Sequence, residues 1–208
     1  MTALLWFRRD LRLADNRALL AALDDGPIVP LFVLDDEGVG EHAVGSAQRW
    51  WLHHSLTALN NDLRGRLVLR RGPAATIVAD VADAIDATAI HATRLYEPWE
   101  VAAQNALGDR LTLHDGDTLI PPEEVRTGSG EPYKIYGPFW RKLAEHLPPP
   151  EPLDAPAAID FADAPASERL EDWRLLPTAP DWGTELDGEW TPGEAGAQAR
   201  LDDFSKRV

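Results

Sequence analysis

Short apolar runs alternate with amphipathic helical patterns along the first 113 residues of this chain. The apolar runs occupy residues 4–7, 28–34, 67–69, 89–93 and 111–113. The first of them has no apolar–polar alternation, which is typical of a parallel strand buried on both faces. The patterns between the runs predict helices that begin near residues 16, 46, 73 and 98, with Ser46 as the cap of the second. This order predicts an α/β fold, a doubly wound, five-stranded parallel sheet of the Rossmann-like type with helices on both faces.

The turn after the first strand carries much positive charge. It reads RRDLRLADN and contains Arg8, Arg9 and Arg12. Asp15 or Asn16 can cap the helix that follows, because either side chain accepts a backbone N–H at a helix start. The arginines therefore lie at the carboxyl edge of the predicted sheet, where open α/β sheets bind ligands. Pairing of these arginines with nearby carboxylates explains the pattern equally well.

The composition excludes several classes of protein. The 208 residues include no cysteine, which excludes a disulfide framework and a thiolate metal site. No run approaches the roughly 18 apolar residues that span a bilayer, and no targeting segment precedes the first strand. We therefore expect a cytoplasmic protein without membrane contact. The formal net charge of −15 argues against strong nucleic-acid binding by this chain alone, since phosphate contacts need clustered Lys and Arg.

Charge and proline content divide the chain near residue 148. After residue 150 there are 14 Asp and Glu against 5 Lys and Arg, and prolines are frequent. Such a composition predicts an extended linker rather than regular elements. Trp173, Trp182 and Trp190 indicate that this linker is held against a surface, since disordered tails have few aromatic residues. We expect a compact domain over residues 1–147, a Pro-rich acidic linker over residues 148–195, and the start of a helix over residues 196–208.

The usual chemical motifs are missing from this sequence. No GxGxxG follows the first strand and there is no Walker lysine, which excludes the two standard phosphate cradles. The GSG at residues 128–130 predicts a turn. The histidines lack the spacing of metal ligands, and His91 and His114 are expected to be structural residues in or beside strands. The residues alone therefore predict a ligand-sized crevice at the strand ends and no catalytic constellation.

Five stretches of the chain, in order, resemble the DNA photolyase/cryptochrome family. The family's opening strand and turn are matched by LLWFRRDLRLADNRAL, and its second helix and third strand by RWWLHHSLTALNNDL and LVLRRG. Its fourth strand is matched by ATRLYEPWE, and its closing loop and helix by HDGDTLIPPEEVRTGSGEPYKIYGPFWRKL. Its interdomain linker and the first helix of its flavin domain are matched by WRLLPTAPDW and WTPGEAGAQARLDDF. The resemblance covers the whole chain.

The resemblance implies the antenna domain and linker of a deoxyribodipyrimidine photolyase, a carbon–carbon lyase that uses light to repair cyclobutane pyrimidine dimers in DNA. Family members continue into a larger helical domain that holds FAD, and residues 196–208 match the start of its first helix. We therefore expect a monomeric fragment without catalytic residues or repair activity of its own. Its expected partners are the missing FAD domain and, through that domain, damaged DNA. A cryptochrome-type blue-light photoreceptor without repair activity is the alternative, and a free-standing nucleotide-binding module is a weaker third interpretation.

Many family members bind a second, light-harvesting chromophore at the carboxyl edge of the sheet. A deazaflavin, a flavin or a reduced folate would serve, and arginines suit the anionic groups of each. By this resemblance the site is expected to include residues that follow strands one, two and four and one residue of the second helix: Phe7, Arg8, Arg9, Leu34, Asp35, Asp36, Arg49, Tyr96 and Glu97. Asp10 and Arg12 are expected to be structural and to form an ion pair. Folate-type members carry an Asn-Glu pair where this chain has Ala102-Ala103, which argues against a folate held in that way. A deazaflavin or flavin in the crevice, a folate bound elsewhere, and no antenna chromophore at all are the alternatives.

Overall fold

Five parallel strands form the centre of the protein in a computed structural model, which describes residues 1–207 apart from the side chain of Glu41. The strands are β1 (Thr2–Phe7), β2 (Ile28–Leu34), β3 (Val68–Arg71), β4 (Ala87–Thr93) and β5 (Leu111–His114). Their order in the sheet is β3-β2-β1-β4-β5, and all four pairings are parallel. The predicted five-stranded α/β fold is confirmed. The chain moves outward from β1 in one direction and then in the other, so the topological switch point lies between β1 and β4.

Helices connect the strands and continue after the last one. The connecting helices are α1 (Arg17–Asp25), α2 (Ser46–Asp62), α3 (Ala74–Ala84) and α4 (Pro98–Leu107). They are followed by α5 (Tyr136–Ala144), α6 (Thr184–Asp187) and α7 (Glu194–Ser205). None of the helices in the described part of the chain combines the length and apolar character that crossing a bilayer requires.

The sheet separates two apolar cores because successive side chains of a strand point to opposite faces. Leu5 and Phe7 of β1 point into the core that α1 and α2 cover. Leu4 and Trp6 point into the core that α3 and α4 cover. Both cores consist of side chains that are almost fully buried, as a doubly wound sheet requires.

Two helix boundaries depend on local hydrogen bonds. Asn16 caps α1, because its Oδ1 accepts a hydrogen bond from the Leu19 N–H at 2.9 Å, as the sequence predicts. The cap of α2 is Gly45 rather than Ser46, and the Gln48 side chain accepts a hydrogen bond from the Gly45 N–H at 3.0 Å. A glutamine side chain thus stabilises the start of α2 where the sequence suggested a serine cap.

The acidic segment after residue 148 covers one edge of the sheet. The Ile28 N–H donates to the Asp160 carbonyl at 2.9 Å, and the Glu168 N–H donates to the Leu69 carbonyl at 3.0 Å. These bonds pair the segment with β2 and β3, so the β3 edge is not left open. Trp173 anchors the segment: it is 4% exposed and packs on Phe32, with 6.2 Å between ring centroids. The domain boundary at residue 147 stays a prediction.

Removing the Trp173 side chain tests how strongly this segment is held. Trp173→Ala should lower the free energy of unfolding by about 3–5 kcal/mol, because a buried indole is lost and a cavity remains. Trp140→Ala is the matched control, since Trp140 of α5 is 44% exposed, and it should cost less than about 1 kcal/mol. Urea unfolding measures both values. Equal costs for the two variants would contradict the anchoring role of Trp173.

Candidate functional site

A cavity of about 910 Å³ opens at the carboxyl ends of β1 and β2. The loops after β1 and β2 form its rim, together with side chains of α2 and α4 and the first turn of α7. Four aromatic side chains line it: Trp6, Phe32, Trp51 and Trp99. The cavity lies at the edge of the sheet where the sequence places a ligand crevice, and its volume falls in the range of small-molecule sites.

The aromatic walls of the cavity are held in defined orientations. Trp6 is 3% exposed, and the guanidinium carbon of Arg8 lies 4.4 Å from the centroid of its ring. Trp99, in the first turn of α4, stacks on His42 with 4.6 Å between centroids and 20° between planes. Ordered aromatic faces of this kind bind planar, conjugated ligands by stacking.

Arg8 is bonded to protein groups from two neighbouring elements. Its guanidinium pairs with the Glu100 carboxylate and donates to the Gln104 side chain at 2.8 Å and to the Thr93 carbonyl at 3.1 Å. Burial lowers the pKa of Arg8, and the charge of Glu100 opposes that shift. Arg8 therefore joins β1, β4 and α4, and most of its donors are already occupied. Its Nε, which has no hydrogen-bond partner among the described residues, is the exception.

The other charged residues of the first turn have different partners. Arg9 is half exposed and pairs with Glu97. Burial would raise the pKa of Glu97, but the hydrogen bond and charge of Arg9 and the backbone hydrogen bonds together outweigh burial, and the pKa lies below its ordinary value. Asp10 accepts hydrogen bonds from the Arg8 N–H at 3.0 Å and the Thr93 hydroxyl at 2.6 Å.

Arg12 forms no ion pair with Asp10, although both side chains are structural. Its guanidinium donates to the Ala14 carbonyl at 3.1 Å and to the Asp15 carbonyl at 3.0 Å. It also reaches the Gly116 carbonyl at 3.3 Å, so it joins the turn after β1 to the loop after β5. The expected pair is replaced by bonds to backbone oxygens, which lie closer to the guanidinium in this tight turn.

The two aspartates after β2 organise the rim of the cavity. Asp35 accepts hydrogen bonds from the Gly38 N–H at 2.6 Å and from the Ala74 N–H at 2.9 Å, which fixes the loop after β2 against α3. Asp36 pairs with Arg49 at 2.7 Å and with Arg71 at 2.6 Å. The guanidinium of Arg49 is thus directed at Asp36.

The structure brings only part of the expected site together. Four of the nine expected residues line the cavity: Arg8, Arg9, Leu34 and Asp35. Asp36 and Arg49 lie beside the rim, and Glu97 contacts it through Arg9. Phe7 does not line the cavity, because it is fully buried in the core that α1 and α2 cover. Tyr96 lines a separate cavity of about 430 Å³, where burial and then the charge of Glu123 raise its pKa.

Several lining residues lie outside the expected set. Trp99 and Glu100 belong to the first turn of α4, close after Glu97. The Trp-Glu pair that follows Pro98 could therefore have indicated that this turn faces the cavity. Trp51 lies on the same helix as Arg49 and offered a similar signal. Glu194 lies far along the chain, and no local pattern connects it with the end of β1.

His91 and His114 lie in the sheet, away from the cavity, and hydrogen-bond to one another. His91 Nδ1 lies 3.0 Å from His114 Nε2, and His91 Nε2 lies 3.0 Å from the Asp25 carboxylate. An ionised Asp25 accepts the His91 Nε2–H, so the free Nδ1 of His91 accepts the His114 Nε2–H. Burial, and then the charge of His91, lower the pKa of His114. Within the described residues no group of three or more side chains is placed to hold a metal ion.

Comparison with known proteins places this domain among photolyases and cryptochromes. Residues 3–157 match the model of the DNA photolyase family. The chain is 42% identical to a deoxyribodipyrimidine photo-lyase of Agrobacterium fabrum over 97% of its own length and 44% of that relative. It is 31% identical to cryptochrome-1 of Arabidopsis thaliana over 97% of its own length and 31% of that protein.

A crystal structure shows the same likeness in three dimensions. A bacterial class III photolyase from Agrobacterium tumefaciens superposes with a TM-score of 0.88 at 40% identity, and the match covers 98% of this chain and 44% of that one. The chain thus spans less than half the length of these relatives.

Substitution of Arg8 tests whether its bonds hold the fold in the absence of any ligand. Arg8→Ala leaves Glu100 without its cation and removes one of the two donors to the Gln104 side-chain oxygen, and it should lower the free energy of unfolding by about 3 kcal/mol. Arg9→Ala removes an ion pair whose arginine is 46% exposed, and it should cost less than about 1 kcal/mol. Chemical unfolding of the ligand-free chain provides both values. An Arg8→Ala variant as stable as Arg9→Ala would show that the network contributes little.

The histidine pair predicts a pH effect on stability. Because the fold lowers the pKa of His114, its neutral form is favoured in the folded state, and its contribution is lost as the pH falls below the ordinary value near 6.5. His114→Gln keeps an N–H that can donate to His91 but does not titrate. Between pH 7.5 and pH 5 the wild-type chain should lose more unfolding free energy than His114→Gln. Parallel pH profiles for the two proteins would contradict this assignment.

Proposed function

Because this chain belongs to the DNA photolyase family, we propose that its α/β domain binds a light-harvesting chromophore for a longer, FAD-dependent photolyase. The observation that carries the proposal is the aromatic cavity at the carboxyl ends of β1 and β2. When bound, the chromophore supplies absorption of near-ultraviolet or blue light. The residues of this chain bind and orient its ring system and exclude water from one of its faces.

The shape and lining of the cavity fit a flat, conjugated ligand. A volume of about 910 Å³ lies near the upper end of the range for small-molecule sites, so a ring system of two or three fused rings with a side chain fits. Trp6 forms the floor beside the strand ends, and Trp99 and Trp51 stand on the two flanking helices. Stacking on such faces stabilises a ligand without any charge on its rings.

The distribution of charge favours an anionic tail near the cavity mouth. Arg8 is bonded to Glu100 beneath the cavity and offers only its Nε. Arg9 lines the cavity with a side chain that is 46% exposed, so it can turn toward a phosphate or carboxylate, whereas Arg12 is held by backbone carbonyls. A deazaflavin, a flavin and a reduced folate all combine a conjugated ring with such a tail.

The side chains of α4 bear on the choice among these chromophores. Ala102 is exposed, and Ala103 lines the cavity. A methyl group can neither accept nor donate a hydrogen bond, so a pterin ring gains no polar contact from these two positions. A folate would depend on other residues of the cavity, whereas a flavin or deazaflavin needs fewer polar contacts at this wall.

The enzymatic part of the proposal concerns the whole protein. A relative 42% identical over this domain is a deoxyribodipyrimidine photo-lyase, which supports light-driven repair of pyrimidine dimers as the role of the longer protein. FAD and damaged DNA would then be contacted through the helical domain of such a protein. The cryptochrome match over the same domain supports the same chromophore-binding role in a photoreceptor instead.

Filling the cavity tests the proposal. Deazaflavin, FMN and a reduced folate are titrated separately into the purified chain, and binding is followed by quenching of tryptophan fluorescence. At least one of them should bind, and Ala103→Phe should weaken its binding by about tenfold or more, because the added ring occupies the cavity. Ala102→Phe is the matched control on the exposed side of α4 and should bind as the wild type does.

Two results would count against chromophore binding in this cavity. The first is that none of the three compounds binds the folded chain at micromolar concentration. The second is that a compound binds equally well to wild type, Ala102→Phe and Ala103→Phe, which would place it elsewhere. Circular dichroism of each variant confirms that the comparison is made between folded proteins.

A further inference from the structure

The first turn of α7 forms one wall of the cavity, although it is remote in sequence from the strands. Gly193, Glu194 and Ala197 line the cavity opposite the turn after β1. Glu194 accepts a hydrogen bond from Ala14, although the two residues are 180 positions apart in the sequence. We call residues 190–197 the closing segment. Without it the cavity would be open on that side.

Glu194 bonds the closing segment to the turn after β1. Its carboxylate accepts hydrogen bonds from the Leu13 N–H at 2.7 Å and from the Ala14 N–H at 2.9 Å, one to each oxygen. The same turn carries Arg9 and Arg12, which line the cavity. The two bonds therefore join opposite sides of the cavity mouth, and they are of the stronger, charge-assisted kind.

The rest of the closing segment packs on α2 mainly through glycine backbone and one half-exposed aromatic side chain. Trp190 is 47% exposed and meets the edge of Trp51 with 5.8 Å between ring centroids. Gly193 lies so close to α2 that a Cβ added to it would stand 2.7 Å from the Ala58 Cβ. A segment with so little buried apolar surface has low local stability, so it can open without unfolding the sheet.

Like charge acts against the closed position. Burial, and then the charge of Glu194, raise the pKa of Asp62 at the end of α2. The two carboxylates are thus close enough to repel each other when both are ionised. The hydrogen bonds from Leu13 and Ala14 hold the Glu194 carboxylate at the turn after β1.

We propose that Glu194 is a positioning residue that closes the cavity. Its two hydrogen bonds hold the closing segment in place as one wall of the cavity. Breaking these bonds opens the cavity and controls how fast a bound chromophore leaves. The statement about release rests on the proposed function. The closure itself is a property of the ligand-free chain and can be measured without a chromophore.

Hydrogen exchange tests closure in the ligand-free chain. Glu194→Gln keeps one acceptor oxygen and Glu194→Ala keeps none, so exchange of the Leu13 and Ala14 amides should accelerate in that order. Glu189→Gln is the matched control, because it removes the same charge at an exposed position directly before the closing segment. It should leave both amides as protected as in the wild type. Unchanged protection of Leu13 and Ala14 in Glu194→Ala would overturn the proposal.

Release of FMN tests the functional consequence. In stopped-flow experiments with excess competitor, FMN should dissociate about tenfold faster from Glu194→Ala than from wild type or Glu189→Gln, as expected for the loss of hydrogen bonds to a charged group. A variant that was merely less stable would bind less FMN in total, but the bound fraction would dissociate at the wild-type rate. The dissociation rate constant therefore separates closure from general destabilisation.

The two readouts distinguish failure of this inference from failure of the proposed function. Faster exchange with an unchanged FMN dissociation rate would show that the contact exists but does not control release, and it would overturn the proposal. If FMN, deazaflavin and reduced folate all fail to bind the wild type, the proposed function fails. Closure of the cavity by the closing segment is then tested by hydrogen exchange of the Leu13 and Ala14 amides alone.

Discussion

The ion pair between Arg8 and Glu100 is the interaction on which the geometry of this site depends. Arg8 follows the central strand directly, and Glu100 lies in the first turn of the helix that follows β4. Their contact spans the switch point of the sheet, where the two halves of the fold diverge. The Arg8 side chain is 3% exposed. Removing either Arg8 or Glu100 would therefore leave the other as an uncompensated charge. The pair therefore fixes the distance between β1 and α4.

The aromatic walls follow from that fixed distance. Trp6 precedes Arg8 by two residues on β1, so both side chains point to the same face, and the guanidinium lies against the indole. Trp99 precedes Glu100 on α4 and is held by the same turn of helix. A shift of α4 relative to β1 would move these two rings apart. The buried ion pair of Arg8 and Glu100 thus fixes the arrangement of the aromatic surfaces that a ligand would contact.

The fold was predictable from the sequence because its signals are local. Apolar runs, cap residues and turn glycines each act within a few residues, and together they specify strands, helices and their order. The Asn16 cap illustrates this, since a donor and an acceptor three residues apart decide where α1 begins. The one misplaced cap is at Ser46: α2 is capped one residue earlier, at Gly45, whose N–H donates to the Gln48 side chain, and the serine suggested the later cap.

The site was predictable only in part, because its contacts are long-range. Placing Arg8, Arg9, Leu34 and Asp35 at the cavity required only that parallel strands end at one edge. Whether an arginine faces a ligand or a carboxylate depends on which helix lies opposite, and that is decided by packing. Arg49 shows the limit: its nearest anion is Asp36, thirteen positions earlier and on a different element, and the pairing could not be inferred from spacing.

The last wall of the cavity depends on how the acidic segment is attached. Trp173 is buried and fixes the segment firmly, whereas Trp190, fewer than twenty residues later, is half exposed. Firm attachment at one end keeps the closing segment near the cavity even when its own contacts break. A tether of this length closes in well under a microsecond when flexible, so reclosure is fast. The open fraction is then governed by the bonds of Glu194 rather than by diffusion of the segment, and a short-lived opening suffices to exchange a ligand while the sheet beneath stays intact.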